Sequence, residues 1–493
     1  MTARLAVPAR ACSARPARAV LALAVLALSL LALAAPAADA HHGRAGLASG
    51  PLAPLGDQGR WLTDAAGRVV LLHGVNEVAK SAPYYPGAFG FGADDARFIA
   101  RQGFNAVRLG VEFQGLMPEP GRIDRGYIEA LARTVTQLSR RHVFVLLDFH
   151  QDGFGPRYGG NGFPAWMSLD DGLPNPPGAT FPLYYIQNPA MQRAFESFWA
   201  NRPGPGGVGL QDRFVAGLRA VVARFRHAPY VLGYELMNEP WPGADWQPCA
   251  TGCPALEASL LGPFYRKATA AVRGLTRRQQ VLVEPFVLFN FGQGPTSLPG
   301  RGTGDTLSTH SYALSPAGED AVVDHSVAAA QRDGAPVLLT EFGATTDIPT
   351  LQRLTSGFDR GLVPWFFWAY NEEIVTDRSA PAGLATVRSL DVLKALARPY
   401  PAALAGTPES LAFDPATRAL ELRYSTTGPG GRRYRPGTAS VIAMPSLAYP
   451  DGYAATVTGG RVASRPCARR LVVLAARGAS AVTVRAAPAA GCG

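Results

Sequence analysis

Eight short apolar runs alternate with amphipathic segments between about residues 60 and 400, and this alternation restricts the possible folds more than any other feature. The runs occupy 69–72, 106–111, 143–149, 231–237, 280–284, 306–310, 336–340 and 363–369. Between several of them, apolar residues recur at helical spacing, as in 128–140, 213–226, 256–275 and 321–332. Near-continuous apolar strands separated by helices are parallel strands buried on both faces. Eight such units in one stretch predict a (β/α)8 TIM barrel of the α/β class. A doubly wound sheet is the rival, but no GxGxxG turn follows the first run.

After Arg398-Pro399-Tyr400-Pro401 the texture changes. Short strand candidates at 419–425, 440–444 and 471–475 are separated by the turn-formers Gly428-Pro429-Gly430-Gly431 and Pro450-Asp451-Gly452. This pattern predicts a small C-terminal β-sandwich domain. At the other end, Arg4, Arg10, Arg15 and Arg18 precede an uncharged apolar stretch at 19–35, followed by Ala38-Asp39-Ala40. A basic segment, an apolar segment and a small-residue cleavage site form a secretory signal. An uncleaved anchor is the alternative, since 17 apolar residues approach the lower bound for a span. The expected organisation is a signal peptide at 1–40, a flexible lead-in at 41–55, a catalytic barrel at 56–401 and a β-sandwich at 402–493. Cleavage would remove Cys12 and leave four cysteines in an oxidising compartment, with Cys249–Cys253 and Cys467–Cys492 the expected pairing among three connectivities. The chain is therefore expected to be secreted.

The net charge of +10 invites a nucleic-acid reading. However, only Lys80, Lys267 and Lys394 are lysines, and the arginines are scattered, with no basic helix or aromatic-basic motif. No nucleic-acid partner is expected. The 47% hydrophobic share excludes a disordered chain. A lone CxxxC without a histidine pair, and a terminal His41-His42 in a Gly/Ala-rich lead-in, make weak metal sites. No metal or cofactor is expected.

Barrel enzymes draw their chemistry from the C-terminal ends of strands. The fourth run ends in Glu235-Leu236-Met237-Asn238-Glu239-Pro240-Trp241, and the seventh in Leu339-Thr340-Glu341-Phe342-Gly343. Two carboxylates would thus face each other across the barrel mouth. A glycosidase needs this arrangement, with one carboxyl to protonate the leaving oxygen and another to attack the anomeric carbon. An isolated glutamate in such a loop is ordinarily solvent-facing or salt-bridged. Polar endings in register elsewhere argue otherwise: Arg108 in the second run, Asp148-Phe149-His150-Gln151-Asp152 after the third, His310-Ser311-Tyr312 after the sixth and Trp368 in the eighth. No GxSxG elbow supports a serine hydrolase.

On these motifs the mature chain resembles glycoside hydrolase family 5, and most closely its endoglycoceramidase branch. Arg108, Asn238-Glu239-Pro240, His310-Ser311-Tyr312, Glu341 and Trp368 carry the family likeness. The stretch 74–80 ending in Lys80, Leu147–Asp152 (LDFHQD), the Gly159-Gly160-Asn161-Gly162 loop and Leu236-Met237-Asn238-Glu239-Pro240-Trp241-Pro242 carry the branch likeness. Asn161, where an aspartate is expected, and Phe163-Pro164 are departures that bear on finer substrate choice. The resemblance implies Glu239 as acid/base and Glu341 as nucleophile, with retention of anomeric configuration. It places Tyr312 on the nucleophile, His310 on the acid and Asn238 at the sugar 2-hydroxyl. Lys80, His150 and Asp152 would bond the glycan, and Trp199 and Trp368 would stack on sugar faces, though the helical spacing around Trp199 equally suits core packing. Arg108 should lower the pKa of Glu341, and crowding by a second carboxylate should raise that of Glu239. The implied substrate is a glycosphingolipid, cleaved between oligosaccharide and ceramide during transient contact with a membrane surface, with no obligate protein partner. A β-glycanase or β-glucosidase, and a non-catalytic glycolipid-binding protein, are the alternatives. The apolar stretches 286–291 and 365–370 would either line a groove for ceramide or fill the barrel wall.

Overall fold

A computed structural model describes residues 50–178, 182–300, 305–375 and 388–491. The expected signal peptide, residues 41–49 of the lead-in, and Cys492 lie outside the described residues. A small antiparallel hairpin, β1 (Gly56–Gln58) and β2 (Trp61–Thr63), leads into eight parallel strands. These are β3 (His73–Glu77), β4 (Ala106–Gly110), β5 (Phe144–Asp148), β6 (Val231–Glu235), β7 (Gln280–Val283), β8 (Thr306–Ser311), β9 (Val337–Gly343) and β10 (Trp365–Trp368). They close into a barrel in chain order, with β10 pairing back onto β3.

The outer helices include Ala93–Arg101, Arg125–Ser139, Leu210–Phe225, Pro254–Arg273, Pro316–Asp333 and Ile348–Gly361. Several start where an N-cap side chain accepts a backbone N–H: Asp124 from Tyr127, Ser315 from Gly318 and Asp347 from Thr350. The expected helices at 128–140, 213–226, 256–275 and 321–332 fall within or across these elements. Among the described residues, β7 and β8 are joined without an α-helix, through the short turn Val287–Phe291.

The barrel interior changes character along its axis. Its floor is apolar, built from Leu55, Leu62, Val70, Leu72, Ala106, Phe144, Leu146, Leu282, Leu338 and Phe366. Gly74 is required there, because a Cβ would lie 2.5 Å from the Phe366 ring and 2.9 Å from the Ala106 carbonyl. Towards the C-terminal ends of the strands the buried residues become Asn76, Arg108, Asp148, Glu235, Ser308, His310, Thr340 and Glu341.

One expected strand is displaced. The run 69–72 does not enter the barrel; the first barrel strand is the more polar His73–Glu77. Val70 and Leu72 plug the barrel floor, whereas Val69 and Leu71 pack into the core of the C-terminal domain. The run is apolar because it is buried on both sides, between two cores.

The C-terminal domain is a sandwich of two antiparallel four-stranded sheets. One sheet contains β11 (Tyr400–Ala403), β14 (Ser440–Ala443), β16 (Gly460–Val462) and β17 (Arg470–Ala475). The other contains β12 (Thr407–Asp414), β13 (Ala419–Ser425), β15 (Tyr453–Thr458) and β18 (Ala481–Pro488). Alternating residues such as Leu420, Leu422 and Tyr424 on β13 and Val482 and Val484 on β18 fill its core.

Val69 and Leu404 exchange backbone hydrogen bonds of 2.9 and 2.7 Å across the domain seam. The Tyr400 ring stacks on His73, and its hydroxyl donates to the Gly103 carbonyl at 2.8 Å. Buried Arg68 pairs with Asp64 at 2.7 Å and donates to the Ala439 and Gly50 carbonyls. Cys249–Cys253 forms a disulfide, and Cys467 is also disulfide-bonded. Asp64→Ala removes the carboxylate paired with buried Arg68 at the seam and is expected to lower stability by about 3–5 kcal/mol in urea unfolding followed by circular dichroism.

Candidate active site

Arg108 projects from β4 into the barrel mouth and is wholly buried. Its guanidinium donates to Glu235 Oε2 at 2.5 Å, Glu341 Oε1 at 2.5 Å, Asn238 Oδ1 at 2.6 Å and Asn76 Oδ1 at 3.1 Å. Asp148 Oδ1 lies 3.1 Å from the same group. Glu235, four residues before Glu239, is thus a floor residue of the site, held also by Thr340 and Ser308.

The expected nucleophile position depends on a β-bulge. Pairing between β8 and β9 runs Thr309 with Leu339 and then His310 with Glu341, a register shift of one residue. Strict alternation would send Thr340 and Glu341 to opposite faces. The bulge lets Thr340 reach Glu235 at 3.1 Å while Glu341 reaches Arg108. Tyr312 donates to Glu341 Oε2 at 2.9 Å, and His310 Nδ1 lies 3.6 Å from that oxygen.

Glu239 sits just beyond β6 with a left-handed backbone, φ 41°. For a residue with a Cβ this conformation costs energy and needs external support. Gln151 provides it, its side-chain amide donating to the Asn238 and Glu239 carbonyls at 2.7 and 2.8 Å. Glu284 accepts the Glu239 N–H at 2.9 Å. Oε1 of Glu239 receives Asn290 Nδ2 and contacts His310 Nδ1, both at 2.9 Å. One oxygen of Glu239 and one of Glu341 lie within 4.8 Å of each other. Among the described residues, Glu239–His310–Glu341 and Glu235–Glu284–His310 are the groups spaced closely enough to hold a cation.

A second cluster flanks this pair. Lys80 Nζ bonds Asp152 at 2.7 Å and lies 4.3 Å above the Trp368 ring. The His150 ring stacks on Trp368 with centroids 5.4 Å apart, and its Nδ1 contacts Asp148 Oδ2 at 2.7 Å. Asn161, the departure noted above, donates to Asp152 Oδ2 at 2.6 Å. Trp199 stands apart from these contacts. It packs among Phe195, Phe198, Phe264 and Phe286 and donates its indole N–H to the Trp241 carbonyl at 2.8 Å.

Sequence reasoning gave no role to Gln151, Glu284, Asn290 or Glu112. The last is a fully buried acid pushed up to about 7 by burial, with charged His150, Asp152 and Lys80 around it. The signal available was position: each follows the C-terminal end of a barrel strand. The stretches 286–291 and 365–370 resolve mainly as wall, since Phe286, Val287, Phe289, Trp365, Phe366, Phe367 and Tyr370 are all buried.

The two candidate catalytic carboxyls differ in their surroundings. Burial, helped by the Asp152 charge, pushes Glu239 up to about 8. Crowding by a second carboxylate is therefore real but secondary, and Asp152 supplies it. Burial also raises Glu341; His310 and Arg108 pull the other way without reversing it. The expected net lowering of Glu341 is thus corrected, because desolvation outweighs the guanidinium. His310 is held down to about 4 by burial and is neutral near pH 7.

Two family models match this chain: "Cellulase (glycosyl hydrolase family 5)" over residues 64–373 and "Glycoside hydrolase family 5 C-terminal domain" over 398–485. The chain belongs to glycoside hydrolase family 5. It is accordingly a glycosidase with a barrel and a C-terminal sheet domain. It is 34% identical over 463 residues to endoglycoceramidase I of Rhodococcus hoagii (strain 103S), covering 88% of each chain. An endoglycoceramidase of Hydra vulgaris is 26% identical over 430 residues, covering 80% of each. The Rhodococcus sp. endo-glycoceramidase II complex with ganglioside GM3 matches with TM-score 0.72 and 28% identity over 87% of this chain and 99% of that one.

His150 yields a stability test. Burial would lower its pKa, but Asp148 and Asp152 raise it to about 10. A raised histidine contributes stability that is complete below the unfolded value near 6.5 and is lost as pH rises through the folded value. The stability gap between the wild type and His150→Asn in urea titrations should be widest below pH 6.5 and close towards pH 10.

Proposed function

We propose that the chain is a secreted, retaining glycosidase that hydrolyses the bond between oligosaccharide and ceramide in glycosphingolipids. The observation that carries the mechanism is the approach of Glu239 and Glu341 oxygens to within 4.8 Å. Retaining enzymes space their carboxyl groups at about 5–5.5 Å, whereas inverting enzymes leave about 6.5–9.5 Å for a water. Glu341 attacks the anomeric carbon as Glu239 gives its proton to the departing ceramide oxygen, leaving a glycosyl ester on Glu341. Glu239 then takes a proton from water, which attacks the same carbon and frees Glu341. Asn290 and His310 both engage Oε1 of Glu239, so Oε2 is the oxygen left to carry the transferable proton.

The ceramide assignment rests on the likeness to endoglycoceramidases over most of the chain. Lys80, Asp152, His150 and Trp368 form a cluster suited to a glycan, combining charged hydrogen-bonding groups with an aromatic face. Membrane contact is supported by exposed apolar side chains. Phe89, Leu173, Leu183, Ile186 and Leu314 are five of the six exposed large hydrophobics among the described residues, and all lie in the connections, short helical turns included, that follow the C-terminal ends of barrel strands. No described helix is long and apolar enough to cross a membrane. Secretion rests on the signal-like N-terminus and the cysteine pairing.

The purified protein should release intact oligosaccharide and free ceramide from GM3. Release of single sugars, or activity on cellulose alone, would overturn the assignment. Glu341→Gln should lower kcat by at least about 1,000-fold while substrate is still bound. Because Glu239 must be protonated to act as acid, kcat/KM should fall as pH rises through about 8. Glu239→Gln should remove that alkaline limb for substrates with activated leaving groups.

A further inference from the structure

We infer that Glu284 is a positioning residue: it donates a hydrogen bond to His310 Nε2, fixes the imidazole as the Nδ1–H tautomer, and so aims an N–H at Glu239. The inference deepens the proposed glycosidase reading and begins from two orphaned atoms. Glu284 Oε1 and His310 Nε2 are buried, face each other at 3.4 Å, and have no hydrogen-bond partner among the described residues. Both side chains are wholly buried.

The rest of the geometry decides where the protons lie. His310 Nδ1 faces Glu239 Oε1 at 2.9 Å and Glu341 Oε2 at 3.6 Å. With the only imidazole proton on Nε2, the Nδ1 lone pair would face Glu341 Oε2 and would require Glu239 to carry its proton on Oε1, the oxygen that already accepts the Asn290 amide, instead of leaving it on Oε2. With the proton on Nδ1, Nε2 becomes an acceptor, and the group opposite must donate. Glu284 can donate only in its neutral form.

Its surroundings favour that form. Burial and the nearby Glu235 and Glu239 push it well above the usual carboxylate range, with Arg108 opposing. Tyr265, a further titratable neighbour, donates its hydroxyl to the Glu284 main-chain carbonyl at 2.7 Å. Oε2 of Glu284 already accepts the Glu239 N–H, so one side chain holds the strained backbone of the acid and, through His310, its carboxyl. The alternative, an imidazolium facing an ionised Glu284, requires charging a histidine that burial holds near 4.

The test is a multiple-bond 1H–15N spectrum of 15N-histidine-labelled protein near pH 7, with His310 assigned by comparison with His310→Asn. The expected wild-type signature is a protonated Nδ1 and an unprotonated Nε2. Glu284→Gln keeps both functions, since its amide oxygen can accept from Glu239 and its amide N–H can donate to Nε2; the tautomer should persist. Glu284→Leu should revert to Nε2–H. Kinetically, Glu284→Leu should lose about 10–100-fold in kcat on a glycolipid but only a few-fold on a dinitrophenyl lactoside, whose departure needs no acid. Glu284→Gln should stay within several-fold on both. An Nε2–H or doubly protonated His310 in the wild type overturns the inference, as does equal loss of the Nδ1–H form in both variants. If Glu284→Leu does not fold, the wild-type and Glu284→Gln spectra decide alone. Wild-type protein inactive on both substrates but showing the Nδ1–H signature would refute the proposed function and leave the tautomer assignment standing.

Discussion

One buried cation organises the barrel mouth. The Arg108 guanidinium spans groups from β3, β5, β6, β9 and the loop after β6, bonding Asn76, Asp148, Glu235, Asn238 and Glu341. Three carboxylates gathered in a dry interior would repel one another by several kcal/mol per pair at an effective dielectric near 20. The guanidinium makes their proximity tolerable and, because its fork is planar, also sets their directions. Its contacts cross the barrel, so the same interaction that assembles the site braces the strands against each other.

From that centre the two candidate catalytic carboxyls diverge in character. Glu341 receives a charged donor on one oxygen and a phenol on the other, which favour its ionised form. Glu239 engages an amide and a neutral imidazole through a single oxygen, and none of the described lysines or arginines pairs with it. Both are buried, and burial pushes both upward. The difference in partners, rather than in exposure, separates an acid from a nucleophile here.

Much of this was legible in the chain itself. Apolar runs of barrel length located seven of the eight strands, and Asn238-Glu239-Pro240 and Glu341 stand at the strand ends where the periodicity places them. The failures have physical causes. The run 69–72 is as apolar as a strand because it is sandwiched between two cores, and hydrophobicity does not say which partner buries a segment. The inward aim of Glu341 depends on a one-residue bulge that no alternation rule contains. Gln151, Glu284 and Asn290 act through backbone carbonyls, an amide N–H and one carboxyl oxygen, contacts that depend on loop geometry rather than residue spacing. The direction for Glu341 was misjudged because proximity to an arginine can be read from a motif, whereas depth of burial cannot.

The segment shared between barrel floor and sandwich has an architectural consequence. Val70 and Leu72 face one core and Val69 and Leu71 the other, and Leu404 extends the seam by direct backbone pairing. A barrel shortened at residue 398 would keep every site residue yet expose half of the run 69–72 and strip the ring that covers His73. The sandwich is in that sense the lid of the barrel's lower end, and the burial of the barrel's floor is complete only in the pair.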